Sequence, residues 1–179
     1  MSSVRADDYG SWFTPEELAI LRRRLPFLYV DAIPVRVDSD GVITSIALLL
    51  RTPREGGIQR ALVSGRVLYH ERIRDALARH LEKDLGPLCL PRIPVSPIPF
   101  TVAEYLPTPG VTPYHDPRQH AVSLAYIVPV DGDCRPSQDA LDIGWFTPEE
   151  VVQASVIAEM VDGHAALIRA ALAISGRLA

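Results

Sequence analysis

The sequence predicts an α/β fold in which a mixed β-sheet is sandwiched between helices, an α/β/α arrangement. Three observations carry this prediction. Helix-start signals stand near both ends, in the matching runs Phe13-Thr14-Pro15-Glu16-Glu17 and Phe146-Thr147-Pro148-Glu149-Glu150. Between them lie segments rich in β-branched residues. A further helical pattern, with Ile73, Leu77, Leu81 and Leu85 at fourfold spacing, divides those segments. The order helix, strands, helix, strands, helix suits a sheet with helices on its faces.

Each element follows from local chemistry. Thr14 caps the first helix, Pro15 suits its first turn, and Glu17 completes a capping box. Leu18, Ile20, Leu21 and Leu25 supply an apolar stripe, and Pro26 ends the run. Arg22, Arg23 and Arg24 are the only basic run and read as the solvated face of this helix rather than a phosphate-binding patch. Ala32 to Val37 and Val42 to Arg51 flank Asp38-Ser39-Asp40-Gly41 and predict a hairpin. Ala61 to Val63 predicts a short strand leading into a turn at Ser64-Gly65. The helix over 73–85 is stopped by Gly86 and Pro87. Prolines 91, 94, 97, 99, 107, 109 and 113 exclude a helix or a central strand from the next segment, leaving edge-strand character at Phe100 to Tyr105. His120 to Val130 predicts a core strand, Ile143 to Phe146 a last short one, and Pro148 to about Ile174 a helix. The two Thr-Pro-Glu-Glu starts are two uses of one cap, since nothing around them repeats.

Bulk properties bound the function. A chain of 179 residues fits one domain, 1–179, with 1–29 as an N-terminal helical extension, 30–152 as the core and 153–179 as a C-terminal helix. It is 47% hydrophobic and 22% charged, enough for a sizeable core, and its net charge of -4 argues against nucleic acid as a partner. Cys89 and Cys134 lie far apart in sequence with no zinc spacing, which suits a reduced, cytoplasmic protein. The polar N-terminus and the short apolar runs predict neither a signal peptide nor a membrane segment.

The stretch Gly65 to Gly86 carries the chemistry. Gly65, Glu71, Arg79, Leu81 and Gly86 match the G, E, R, U and G positions of the pattern G-x5-E-x7-R-E-U-x-E-E-x-G-U without insertion or deletion. His80, Lys83 and Asp84 stand at its remaining glutamates, and Pro87 at its final aliphatic position. This box resembles that of the Nudix hydrolase superfamily. Trp145-Phe146-Thr147-Pro148-Glu149-Glu150-Val151 resembles that family's entry into its last helix, and Asp116-Pro117-Arg118-Gln119 resembles the DPRG segment of its ADP-ribose-type members, with Gln119 in place of glycine.

The resemblance implies a Nudix fold and hydrolysis of a nucleoside diphosphate linked to another moiety, of ADP-ribose or nucleotide-sugar type. It implies a divalent cofactor, magnesium or manganese, held by Asp84, Glu71 and His80. His80, Lys83, Asp84 and Glu71 are the expected catalytic residues, and Arg51, Asp116 and Arg118 the expected contacts to a small nucleotide-like ligand. Gly65, Arg79 and Gly86 shape the box, Gly65 through a tight turn. A homodimer is compatible with the family.

The substitutions set the question. Residues 80, 83 and 84 share one helical face, which the sequence places opposite the apolar stripe. Magnesium prefers hard oxygen ligands, and an ammonium at Lys83 changes a carboxylate site by two charge units. Lys83 could instead stand where the cation usually stands and contact phosphate directly, with His80 as acid or base. The alternatives are a fold that binds a nucleotide-like ligand without turnover, or one repurposed for metal-independent chemistry. Glu104, Asp139 and Asp142 are further candidate general bases. Tyr105 and Tyr114 are candidates to stack on a base, and His115 and His120 are weaker metal candidates.

Overall fold

The capping box forms as the sequence requires. In α1 (Pro15–Arg22), Thr14 Oγ1 accepts from the Glu17 amide at 3.2 Å, and Glu17 accepts from the Thr14 amide at 2.8 Å. The expected apolar stripe does not enter the core, however. No residue of α1 is buried, and Ile20 and Leu25 are each 54% exposed. The helix is held instead by a polar contact, Arg22 Nε donating to Gln119 Oε1 at 3.0 Å. This computed structural model describes residues 13–52, 56–138 and 140–176.

An eight-stranded sheet follows. At its centre, β1 (Phe27–Val37) runs parallel to β7 (Ala121–Gly132). β1 starts before the expected Ala32 because Asp31, which interrupts the apolar pattern, is accommodated inside. Asp31 is only 1% exposed and accepts from the Tyr105 hydroxyl at 3.2 Å. β2 (Ile43–Arg51) returns antiparallel through the predicted hairpin, where Asp38 Oδ1 accepts from the amides of Asp40 and Val42. The single strand expected at Ala61 to Val63 is two, β3 (Gln59–Ala61) on β2 and β4 (Val63–Arg66) on β1. They part at Leu62, whose amide donates to His164 Nδ1 at 3.0 Å. Among the described residues β5 (Cys89–Pro91) and β6 (Thr101–Tyr105) each pair with β7 alone, and β8 (Asp142–Phe146) pairs with β2. The proline-rich segment thus supplies short edge strands, where a missing amide costs little. β5 also brings Cys89, distant in sequence, beside Cys134. Burial and the neighbouring thiol push Cys89 up to about 12.

The sheet divides two cores. One face carries Val30, Leu49, Val63, Tyr126 and Val128 beneath α2 (Ile73–Leu85), and the other carries Ile33, Leu48, Leu62 and Ala103 beneath α5 (His164–Ile174). The helix expected over 148–174 is broken into α3 (Pro148–Val151), α4 (Ala154–Ile157) and α5. Two contacts break it. The Arg60 amide donates to the Glu159 carbonyl and the Arg60 carbonyl accepts from the Val161 amide, drawing the segment after α4 onto β3. Gly163 then turns at φ +84, with Tyr105 and Tyr114 at 3.0–3.1 Å from any added Cβ. No helix among the described residues is long and apolar enough to cross a membrane.

The docking of α2 corrects two expectations. Its buried residues are Ala76, Leu77, His80, Leu81, Asp84 and Leu85, so the row 76–80–84 faces the sheet beside the apolar row rather than opposite it. Gly65 is not in a turn either. It lies within β4, paired with Val30, and a Cβ there would sit 1.9 Å from His80 Cε1. Glycine is needed because the imidazole lies directly on the strand. His80 Nε2 reaches the Arg66 carbonyl at 2.9 Å. Burial pulls the ring's pKa down to about 4, so at neutral pH it is uncharged and Nε2 is the donor. Gly86 does end the helix, at φ +81.

Two predictions follow from this packing. Gly65→Ala should destabilise by about 3 kcal/mol, an overpacking penalty made larger by rigid neighbours. The same change in a His80→Ala background should cost much less, and additive losses in urea denaturation would show that the ring is not the obstacle. The second concerns pH. In the unfolded chain His80 takes a proton near its ordinary value of 6.5, but in the fold only near 4. The unfolded state therefore binds more protons across this window, and stability is lost as pH falls from about 6.5 toward 4, by up to about 3 kcal/mol. His164, wholly buried and also shifted down by burial, adds to the same slope. His80→Gln should flatten the dependence of Tm on pH between these limits.

Candidate functional site

α2 and the end of β2 meet at one carboxylate. Asp84 is fully buried, and burying a charge is costly unless a partner goes with it. Arg51, the last residue of β2, supplies that partner, with Nη2 2.5 Å from Asp84 Oδ2. Lys83 adds a second cation, its Nζ 3.9 Å from Oδ1. Both cations keep partial solvent access, at 26% and 32% side-chain exposure. A guanidinium and an ammonium thus sit at the surface over a buried anion. Arg51, which from sequence reads more often as plain surface than as a phosphate contact, is tied to the box helix through this contact.

Glu71 is held just as firmly. Arg79 grips it with two hydrogen bonds, Nε to Oε1 at 2.7 Å and Nη2 to Oε2 at 2.8 Å, and the Leu68 amide donates to Oε2 at 2.9 Å. Burial alone would raise the Glu71 pKa, but the Arg79 guanidinium and the Leu68 amide hold it below the usual carboxylate range. Arg79 also donates to the Arg66 carbonyl at 3.0 Å. These contacts close the loop that precedes α2.

The metal expected from the resemblance can be tested against these donors. Guanidiniums occupy Asp84 Oδ2 and both oxygens of Glu71. His80 Nε2 is spent on a carbonyl, and its Nδ1 is buried with no hydrogen-bond partner. Among the described residues no group of three or more His, Cys, Asp or Glu side chains is placed to hold an ion. A divalent cation would have to displace Arg51 and approach Lys83 at close range, against mutual repulsion. The donor set does not fit magnesium or manganese.

The other candidates fall elsewhere. Asp116 and Arg118 are paired with each other, Nε to Oδ1 at 2.8 Å and Nη2 to Oδ2 at 2.9 Å. Gln119, unnoticed in the sequence except as a substituted glycine, is the hub of that region. It is 2% exposed, and its amide nitrogen donates to the Tyr29 hydroxyl at 2.9 Å and to Asp116 Oδ2 at 3.1 Å. Tyr105 is buried and packs against Tyr114 with ring centroids 5.4 Å apart, so Tyr105 offers no free stacking face. His115 faces Asp162 at 3.6 Å. Glu104 is exposed on β6. Asp142 pairs in register with Leu50, so strand alternation turns it to the face away from Arg51. Asp139 lies outside the described residues.

Comparison with known proteins places this geometry. The family model described as a domain of unknown function, DUF4916, matches residues 8–177. No curated protein matches. A solved structure from Jonesia denitrificans, called a possible asymmetric diadenosine tetraphosphate (Ap4A) hydrolase, is 61% identical, with a TM-score of 0.85 over 87% of this chain and 98% of its own. A Nudix hydrolase from Nitrosomonas europaea gives a TM-score of 0.61 at 17% identity, over 84% of this chain and 91% of its own. A bifunctional NMN adenylyltransferase/ADP ribose pyrophosphatase from Francisella tularensis, complexed with AMP and a manganese ion, gives 0.61 at 18%, over 89% of this chain and 46% of its own. The last two share the fold alone. With its box at family spacing and its sheet between α2 and α5, the chain belongs to the DUF4916 family and has the fold of the Nudix hydrolase superfamily.

Proposed function

We propose that the chain is a Nudix-type hydrolase acting on a nucleoside diphosphate linked to another moiety, with fixed cations in the place of a divalent ion. One observation carries the reading: Arg51 and Lys83 stand over the buried Asp84, at the box position where charge must be supplied to a pyrophosphate. The 61% identical relative, called a possible Ap4A hydrolase, supports a substrate of this chemical class.

The chemistry follows from the residues. Water attacks a phosphorus of the pyrophosphate, and the bond to the bridging oxygen breaks. Charge grows on the phosphoryl oxygens, and preorganised cations aimed at it lower the barrier. Asp84 fixes the direction of Arg51 and Lys83. Glu71 and Arg79 hold the loop, so they position the site without touching substrate. His80 keeps a free Nδ1 lone pair at neutral pH, but a nitrogen titrating near 4 is a weak base. Its part is to seat α2 on β4 rather than to take the proton.

A second reading has its own support. Glu71 and Asp84, the two carboxylates on which family chemistry would depend, are both ion-paired. This favours a module that binds the same ligands without turnover.

Purified protein incubated with nucleoside diphosphate derivatives in magnesium, manganese or chelator separates the readings. Hydrolysis is expected at similar rates in all three, and Lys83→Gln should reduce it about tenfold or more. A ligand-induced rise in Tm without product would select the binding module. Neither product nor a Tm shift with any compound would reject both readings. The fixed cations make a sharper prediction about metal. Lys83→Glu alone leaves Arg51 on Asp84 and should gain little manganese binding. Arg51→Gln/Lys83→Glu frees one carboxylate and adds another, at a stability cost on the order of 3 kcal/mol, and should bind manganese measurably by calorimetry. A double variant that binds no better than the parent would show that the cations are not what excludes the ion.

A further inference from the structure

We infer a second anion site, built by α1 and the loop before β7, that takes the phosphate chain of a small oligophosphate. The arginine run read from the sequence as solvent-facing lines an open groove of about 640 Å³. Arg22, Arg23 and Arg24 of α1 and the turn after it line the groove together with Arg118 and His120 from the loop before β7. The volume suits a small ligand. Four guanidiniums meet there in a chain whose net charge is -4. Among the described residues Asp116 is the carboxylate paired into this group, and Arg118 already holds it.

Three features make this more than a charged surface. First, Arg22 and Arg118 are fixed. The buried Gln119 accepts from Arg22 and donates to Asp116, which in turn grips Arg118 through both oxygens. Donors held in place lose little freedom on binding. Secondly, Arg23 and Arg24 are exposed, line the groove, and form no ion pair among the described residues. Thirdly, His120 Nε2 is buried without a hydrogen-bond partner. Holding these like charges together is unfavourable until an anion joins them. Guanidiniums match phosphate oxygens in pairs, so a chain of two or more phosphates satisfies several at once.

The test uses the full chain and inorganic tripolyphosphate, followed by calorimetry at low and moderate salt. Binding is expected, weakening as salt screens the exposed charges. Arg23→Glu/Arg24→Glu, at exposed positions, should weaken it about a hundredfold while leaving Tm unchanged, on the order of tenfold for each guanidinium lost. In an Arg51→Gln/Lys83→Gln background the loss caused by Arg23→Glu/Arg24→Glu should persist in full, which separates this site from the box: binding that depends on Arg51 and Lys83 alone would overturn the assignment without touching the hydrolase reading. ADP and ATP form a parallel arm. Binding stronger than that of tripolyphosphate assigns the phosphate chain to a nucleotide, and equal binding assigns it to the phosphates alone. No tripolyphosphate binding at low salt, an unaffected Arg23/Arg24 variant, or binding confined to an RNA oligomer would each overturn the proposal.

Discussion

A carboxylate placed wholly inside a protein dictates its surroundings. Asp84 cannot stay ionised in the core without a cation beside it, and Arg51 at the end of β2 stands within ion-pair distance. That pairing ties α2 to the sheet at its C-terminal end. His80, seated on Gly65 and bonded to the Arg66 carbonyl, ties it one turn earlier. Arg79, gripping Glu71, ties the loop at its start. The box is thus three polar attachments laid along one helix and its leading loop, with Leu77, Leu81 and Leu85 packed beside them.

These attachments explain why the substitutions belong together. A lysine alone at position 83 looks like damage to a carboxylate cluster. Beside Arg51 and a wholly buried Asp84 it is the second cation of a compensated group. A neutral histidine at 80 avoids placing a further buried charge against that group, because burial has already removed its proton at neutral pH. The result is a site with fixed positive charge at its mouth and negative charge beneath, in the reverse order to a carboxylate cage awaiting an ion.

The fold was largely legible because its signals are local. Thr14 and Thr147 cap, Gly86 terminates and Asp38 turns the hairpin, each through contacts within a few residues. What sequence reading missed depends on distant partners. α1 buries no apolar stripe because its attachment is Arg22 to Gln119, 97 positions away. The last helix breaks because Arg60 draws residues 159–161 onto the sheet. Gly65 looked like a turn glycine, since nothing in a linear pattern says that an imidazole will lie on its Cα. The same limit governed the site. The i, i+3, i+4 spacing groups residues 80, 83 and 84 on one face, but whether that face meets water or the sheet depends on where Arg51 and Arg66 stand, and pattern cannot supply that.

Fixed cations and a bound divalent ion are not equivalent ways of meeting a pyrophosphate. Side-chain cations are present without loading and are indifferent to chelators. They are also preorganised, since Asp84 orients both. But each carries one unit of charge rather than two, and neither activates a bound water as a metal does. A site built this way retains most of the attraction for phosphate and gives up the main route to a nucleophile at neutral pH. On the proposed reading such a site holds its ligand firmly, and the turnover it supports should be slow and metal-independent. The same reasoning applies to the site inferred where α1 meets the loop before β7: guanidiniums oriented by a buried amide hub are suited to recognising phosphate.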